Sequence, residues 1–277
     1  MDSGVFGFCI LIITCLVSYQ GIKNISYLDR YSFQVDAILV RKEYKRLITS
    51  GFLHSGWMHL IFNMVTLYFF SASLESLLGL PVLVVLYFAS LLGGNLLALF
   101  IHRNHPGYSA VGASGAISGM VFASIALFPG MEMSLLFIPY SIPGWAFGLL
   151  YVLYSIYGIK SQRDNIGHEA HLGGGLTGMS IAIIIFPKVL SINYLPIALV
   201  FIPALVFLYL VVTRPEVLLV ENPFRKSRGS YTFEDKYNTS KRTTQKELDA
   251  LLDKIHKTGI DSLTKEEKEK LEELSGL

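Results

Sequence analysis

Charge is what this sequence has least of. Asp, Glu, Lys and Arg make up only 16% of its 277 residues, and the stretch from Trp57 to Pro187 holds very few of them. The others concentrate between Lys23 and Arg46 and after Arg214. A soluble domain of this size spreads charge over its whole surface. The distribution therefore excludes a wholly soluble globule and indicates a membrane protein with a soluble tail. Net charge is only +2, so there is no basic excess to draw a nucleic-acid partner. There are two cysteines, Cys9 and Cys15, both in the first apolar run, which excludes a disulfide framework and a cysteine metal site. No Lys or Arg precedes that run. Without a positive n-region it does not read as a cleaved signal peptide but as a retained membrane helix.

What is abundant is apolar sequence. A helix needs roughly 20 mostly apolar residues to cross a bilayer. Seven segments qualify as spans: Gly4–Tyr19, Trp57–Leu78, Pro81–Ile101, Ala113–Phe128, Ile142–Gly158, His168–Phe186 and Ile192–Val212. The seventh contains Pro196 and Pro203 but is long and uncharged, and is counted as a span. Gly21–Ser55 is a long first loop of mixed charge and several aromatics, expected to fold at the membrane surface. Met131–Ser141 is short, apolar and interrupted by proline, and reads as an interfacial connection.

Composition changes after Arg214. The predicted organisation is a membrane domain over 1–213, with a core over 4–186 and an extra helix over 192–212. A linker over 214–243 and a soluble helical hairpin over 244–277 follow. Thr244 with Glu247, and Thr264 with Glu267, each fit a capping box. Leu248, Leu251, Leu252 and Ile255 repeat at helical spacing, and Gly259 sits where the first helix should stop. The hairpin is too small for a stable core of its own, so it is expected to dock on a protein partner.

Polar groups inside spans are costly, and each asks for a reason. His59 and Asn63 are four apart on one helix face, and both can donate hydrogen bonds. They could cradle a developing oxyanion, or bond across helices as structural glue. Ser114 opens the short fourth span, ~24 Å long against a core of about 30 Å. It therefore lies below the membrane surface, at a helix N-terminus whose free N–H groups face whatever it attacks. Gly112 and Gly115 beside it permit close approach, although Gly115 with Gly119 equally fits a packing motif. In the sixth span Ala170, Gly174 and Gly178 form a small-residue face that admits another helix. His171 flanks it. If the fourth span packs there, His171 comes within reach of Ser114 as the base a serine needs. Packing or proton relay is the other reading of His171.

His168-Glu169-x-His171 also raises the question of zinc. Zincin-type helices need two histidines four apart, and these are three apart with no third ligand in sight, so no metal is assigned. Glu169 precedes His171 by two and should face another way. With no acid placed to orient His171, a Ser–His dyad is the simpler proposal than a triad.

Taken together, His59-x-x-x-Asn63, Gly112-x-Ser114-Gly115 and Ala170-His171-x-x-Gly174-x-x-x-Gly178 resemble the rhomboid family of intramembrane serine proteases, over roughly Gly4 to Phe186. The resemblance implies an all-α polytopic membrane protein: a six-helix bundle, here with a seventh transmembrane helix and the C-terminal hairpin. It implies that Ser114 attacks the scissile carbonyl, that His171 moves the proton, and that His59, Asn63 and the Ser114 N–H hold the oxyanion. Glu75 matches a structural acidic position, and Arg46 the arginine of a Trp-Arg pair whose tryptophan is Lys45 here. Ser118 stands where some relatives carry an aromatic against the histidine, so no ring is expected to stack on His171. The implied substrate is a transmembrane segment of a single-pass or multi-pass protein in the lipid bilayer, entering past the fifth span, with no cofactor. The alternative is an inactive relative that binds membrane clients. The implied setting is a bacterial plasma membrane with the site facing outward. The basic residues of the first loop pull the other way, since positive-inside counting puts them in the cytoplasm. The outward site is kept as the expectation.

Overall fold

The computed structural model describes residues 4–134, 140–161 and 164–214, with scattered positions of the tail between Leu251 and Leu271. The membrane part is built from long helices: α1 (Val5–Lys23), α5 (Trp57–Leu78), α6 (Leu80–His102), α7 (Ser114–Leu127), α8 (Gly144–Ser161), α9 (His168–Ile185) and α11 (Tyr194–Thr213). These seven correspond to the seven predicted spans, with ends shifted by a few residues. α1, α5, α6 and α11 are each long and apolar enough to cross a membrane. The chain is an all-α polytopic membrane protein.

α7 is the shortest of the seven, at 14 residues or about 21 Å, and every residue after Ser114 is buried. A helix enclosed all round is a central one. It packs most extensively against α9 and then α6. Small residues make that possible. A Cβ built on Gly174 would lie 2.0 Å from the Gly115 carbonyl oxygen, and one on Gly178 would lie 2.2 Å from that of Gly119. The two backbones are in direct contact along the predicted face. At its far end α7 is tied to the start of α11, because Asn193 Nδ2 donates to the carbonyls of Ile125 and Ala126 (2.8 and 3.1 Å).

The first loop is folded, as expected. It contains α2 (Ile25–Tyr31), α3 (Val35–Leu39), α4 (Arg46–Thr49) and a 3-10 turn over Ser50–Phe52. A two-residue strand, β1 (Phe33–Gln34), pairs antiparallel with β2 (Ser109–Ala110), just upstream of Ser114. Arg46 anchors the loop although Lys45 stands beside it: its buried guanidinium donates to the carbonyls of Asp29 (2.7 Å) and Ser32 (2.8 Å) and pairs with Glu43. The Arg46 hydrogen bond holds the Glu43 carboxyl below its usual range. That contribution is present above the ordinary carboxylate pKa and fades as acid protonates Glu43. Glu75 accepts from the N–H groups of Gly4 (3.0 Å) and Phe6 (3.1 Å), a negative charge at the positive end of α1.

The segment after α7 differs from the simple connection expected of it. β3 (Glu132–Ser134) pairs antiparallel with β4 (Ser141–Pro143) as the arms of a hairpin. Pro143, the last residue of β4, is tolerated there because the strand belongs to a two-stranded edge. A four-residue helix, α10 (Val189–Ile192), precedes α11.

The chain divides into two compact units, Met1–Pro223 and Phe224–Leu277. In the second, the Thr264–Glu267 capping box is present: Glu267 N donates to Thr264 Oγ1 (3.2 Å) and Thr264 N to Glu267 Oε2 (2.7 Å). Lys254 pairs with Glu267 at 2.7 Å. Thr244, Glu247, Leu248, Leu252, Gly259 and almost all of the predicted linker lie outside the described residues.

Candidate active site

Ser114 is the first residue of α7, with Ala113 as its cap. The turn that delivers it is fixed from the first loop. Gly112 N donates to Ser50 O (3.0 Å), and Ala113 N reaches His54 Nε2 (3.5 Å). Gly112 has φ +138°, a conformation that L side chains rarely adopt, and a Cβ there would also press on the His59 ring at 3.0 Å. The glycine is thus needed for both its backbone and its lack of bulk.

His54 is fully buried, and its hydrogen bonds define its tautomer. Ser18 Oγ donates to Phe52 O (2.8 Å), so it accepts from His54 Nδ1 (2.9 Å). Nε2 is then the bare acceptor that faces Ala113 N. Burial, with His59 adding to it, pushes the His54 pKa down to about 3, so the ring stays neutral and the acceptor is retained. Sequence reasoning passed over His54. A histidine outside the spans carried no cost argument, and its partners come from 36 and 59 residues away.

His59 stands in the first turn of α5, edge-on to His54 with ring centroids 4.8 Å apart. Its Nδ1 is 3.2 Å from Ser55 Oγ. When Ser55 donates there, Nε2 carries the proton. A Cβ on Gly112 would lie 3.0 Å from that Nε2 and 3.5 Å from Ser114 Oγ, so both atoms border one gap. Asn63 is one turn further along α5 and buried, with one amide hydrogen given to the His59 carbonyl (2.9 Å). Among the described residues its second amide hydrogen has no protein acceptor.

His171 lies in the first turn of α9 and its N–H donates to Gly167 O (3.1 Å). A Cβ on Gly115 would sit 3.1 Å from the Ala170 carbonyl oxygen. The residues next to Ser114 and His171 in sequence therefore touch, and both side chains are half-buried. Among the described residues no direct hydrogen bond joins Ser114 Oγ to His171. Gly112, Gly115, Gly174 and Gly178 all line close approaches at or below this point.

One expectation is corrected. Ser118 carries no ring, but a ring does lie on His171: Tyr151 of α8, with centroids 5.9 Å apart and planes at 26°. Ser118 Oγ and the Tyr151 hydroxyl are 2.7 Å apart. Looking only at position 118 missed an aromatic that reaches the same place from another helix.

Glu169 faces away from His171, as its spacing required. It pairs with His102 Nε2 at 2.9 Å, both side chains buried, and the His102 ring stacks on Tyr108 at 3.6 Å. This fastens the first turn of α9 to the end of α6. His168 is buried against Gly158, whose lack of a Cβ leaves room for its ring, and pairs with Asp164 at 3.0 Å. Asp164 thus meets His168 and not His171.

A family model described as the Rhomboid domain matches residues 41–188. A second, described as a family of unknown function (DUF6576), matches residues 231–277. The mitochondrial RHOMBOID-like protein 12 of Arabidopsis thaliana is 33% identical over 144 residues, covering 46% of this chain and 42% of that protein. YdcA of Bacillus subtilis, whose name also carries the word rhomboid, is 32% identical over 153 residues, covering 53% of this chain and 69% of YdcA. Inactive rhomboid protein 1 of Drosophila melanogaster is 29% identical over 142 residues, covering 51% of this chain and 10% of that protein. The chain thus spans less than half the length of the Arabidopsis relative.

Proposed function

We propose, from the premise that the chain belongs to the rhomboid family, that it is an intramembrane serine endopeptidase cutting transmembrane segments of other membrane proteins. The observation that carries this reading is the Gly115–Ala170 backbone contact, which makes the first turns of α7 and α9 neighbours. Ser114 and His171 flank that contact.

In the proposed reaction His171 takes the Ser114 Oγ proton as Oγ bonds to the scissile carbonyl carbon. The carbonyl oxygen becomes an oxyanion, held by His59 Nε2–H, the free Asn63 amide hydrogen and the Ser114 N–H. The intermediate collapses, the C–N bond breaks, and His171 passes its proton to the leaving amine. Water then gives a proton to His171 and attacks the acyl carbonyl carbon; the C–Oγ bond breaks, the acid leaves, and His171 returns its proton to Ser114 Oγ. The substrate helix must unwind locally, because helical carbonyls are engaged in hydrogen bonds. The chemistry calls for no cofactor.

The competing reading is a client-binding protein without catalysis, since one relative is named inactive. The presence of both Ser114 and His171 beside a donor pair favours the enzyme. A fluorophosphonate probe on the full chain in detergent is expected to label wild type and leave Ser114→Ala unlabelled. A wild type that takes no label at Ser114 sinks the proposal.

The protein is an integral membrane protein. We assign it to a bacterial plasma membrane with the site facing outward and the first loop on that side. The tail from 214 onward is taken as a linker and an appendage for a protein partner. Reporter fusions to the first loop test the orientation, and a cytoplasmic first loop would reverse it.

A further inference from the structure

Resting on the reading above, we infer that Tyr151 is a positioning residue for His171, held in register with the nucleophile by Ser118. Three observations meet here. The Tyr151 ring lies on the His171 imidazole, with centroids 5.9 Å apart and planes at 26°. The Tyr151 hydroxyl is 2.7 Å from Ser118 Oγ. Ser118 lies one helical turn from Ser114 on α7, on the same face.

These contacts close a loop through the molecule. α7 carries Ser114 and, four residues on, Ser118. Ser118 fixes the Tyr151 hydroxyl. Tyr151 has only two side-chain torsions, so a fixed hydroxyl fixes the ring. Phe147 stacks on that ring at 5.9 Å, and Phe122 meets it edge-on at 5.7 Å, which closes off other rotamers. The ring in turn limits the tilt of His171. The orientation of the base is thus referenced to the helix of its own nucleophile, through a residue of a third helix.

The arrangement also bears on charge. His171 becomes an imidazolium when it takes the serine proton. A cation stacked on a phenol face is favoured over a neutral ring there. The benefit arises only once the proton has moved, so it belongs to the chemical step and not to substrate binding. Loss of the ring should lower kcat and leave KM alone. Merely structural packing would instead lower the melting temperature and change both constants or neither.

The test uses the full chain in detergent, with a model transmembrane substrate and the fluorophosphonate probe. Tyr151→Leu is expected to reduce kcat and the labelling rate about tenfold, with KM unchanged and thermal melting close to wild type. Tyr151→Phe keeps the ring and is expected to recover most of that loss, within about threefold of wild type. Ser118→Ala should match Tyr151→Phe. Their double variant should be no slower than either, because both remove one hydrogen bond. A Tyr151→Leu variant with wild-type kcat and labelling overturns the inference while leaving Ser114 as nucleophile. So does one that loses melting temperature without a selective loss in kcat. If Tyr151→Leu fails to fold, an additive Tyr151→Phe/Ser118→Ala pair overturns the inference, and a non-additive pair supports it. A wild type that never labels at Ser114 removes the parent reading and this one together.

Discussion

Ser114→Ala and His171→Ala are each expected to cut proteolysis of a model transmembrane substrate by at least about 10⁴-fold. The physical reason is that a serine hydroxyl is a poor nucleophile at neutral pH unless a neighbouring base takes its proton as it attacks. On the proposed mechanism, alanine at position 114 removes the nucleophile, and alanine at position 171 removes the base. The two act as one unit, so the double variant should be no slower than the worse single one. Neither side chain forms a hydrogen bond that supports the fold here, and both are half-buried. Each variant should therefore melt within a few degrees of wild type. His59→Ala and Asn63→Ala are expected to cost less, about 10²–10³-fold, because each removes one donor from the proposed oxyanion site. Cleavage assays in detergent or proteoliposomes measure this directly. A His171→Ala variant that keeps a tenth of wild-type activity would mean that some other group is the base.

Gly174→Ala and Gly178→Ala are expected to be the most damaging glycine-to-alanine changes among the described residues. The added carbon would lie 2.0 Å from the Gly115 carbonyl oxygen in one case and 2.2 Å from that of Gly119 in the other. Both obstacles are backbone, so no side chain can rotate away. α7 and α9 must part, and His171 would move away from Ser114 with them. Overpacking of a core side chain typically costs 1–3 kcal/mol. With rigid backbone on both sides, the upper end, about 3 kcal/mol, is the expected loss. Melting should fall by several degrees and probe labelling at Ser114 should disappear. Gly56→Ala is the control, because nothing lies within 4 Å of a Cβ there. Gly175→Ala should fall between, since it meets the Phe122 ring, a side chain with some room to yield. A Gly174→Ala protein that melts and labels like wild type would show that the helices separate freely, and would remove the packing argument for the site.

Tyr151 and His54 meet partners that are remote in sequence. Tyr151 reads as one more apolar-run aromatic until α8 is packed against α7 and α9. Its role could have been suspected from Ser118, a small polar residue where a ring was looked for, but nothing in spacing says which helix would supply that ring. His54 gave no signal because its meaning depends on Ser18 and Ala113, from α1 and from the turn before α7. That Glu169 faces away from His171 is legible in the sequence, because two residues along a helix is about 200° of rotation. That it meets His102 was not legible, since the end of α6 is 67 residues distant.

Ser114 and His171 stand out in the sequence because their signals are local. A short span beginning at a serine between glycines, and a histidine beside a small-residue stripe, are properties of one helix each. Helical periodicity and bilayer thickness decide such features, so the sequence by itself determined the seven helices, the shortness of α7, and the faces offered for contact. What only the tertiary structure decided is who meets whom. Backbone contact between Gly115 and Gly174 selects one register of α7 against α9. That register makes the first turns of α7 and α9 neighbours. The packing of α5 against the turn before α7 brings His59 Nε2 to the gap beside Ser114 Oγ, and α8 lays a tyrosine on His171. Such choices depend on steric fit between surfaces far apart in sequence, summed over many contacts, and no local pattern encodes that sum.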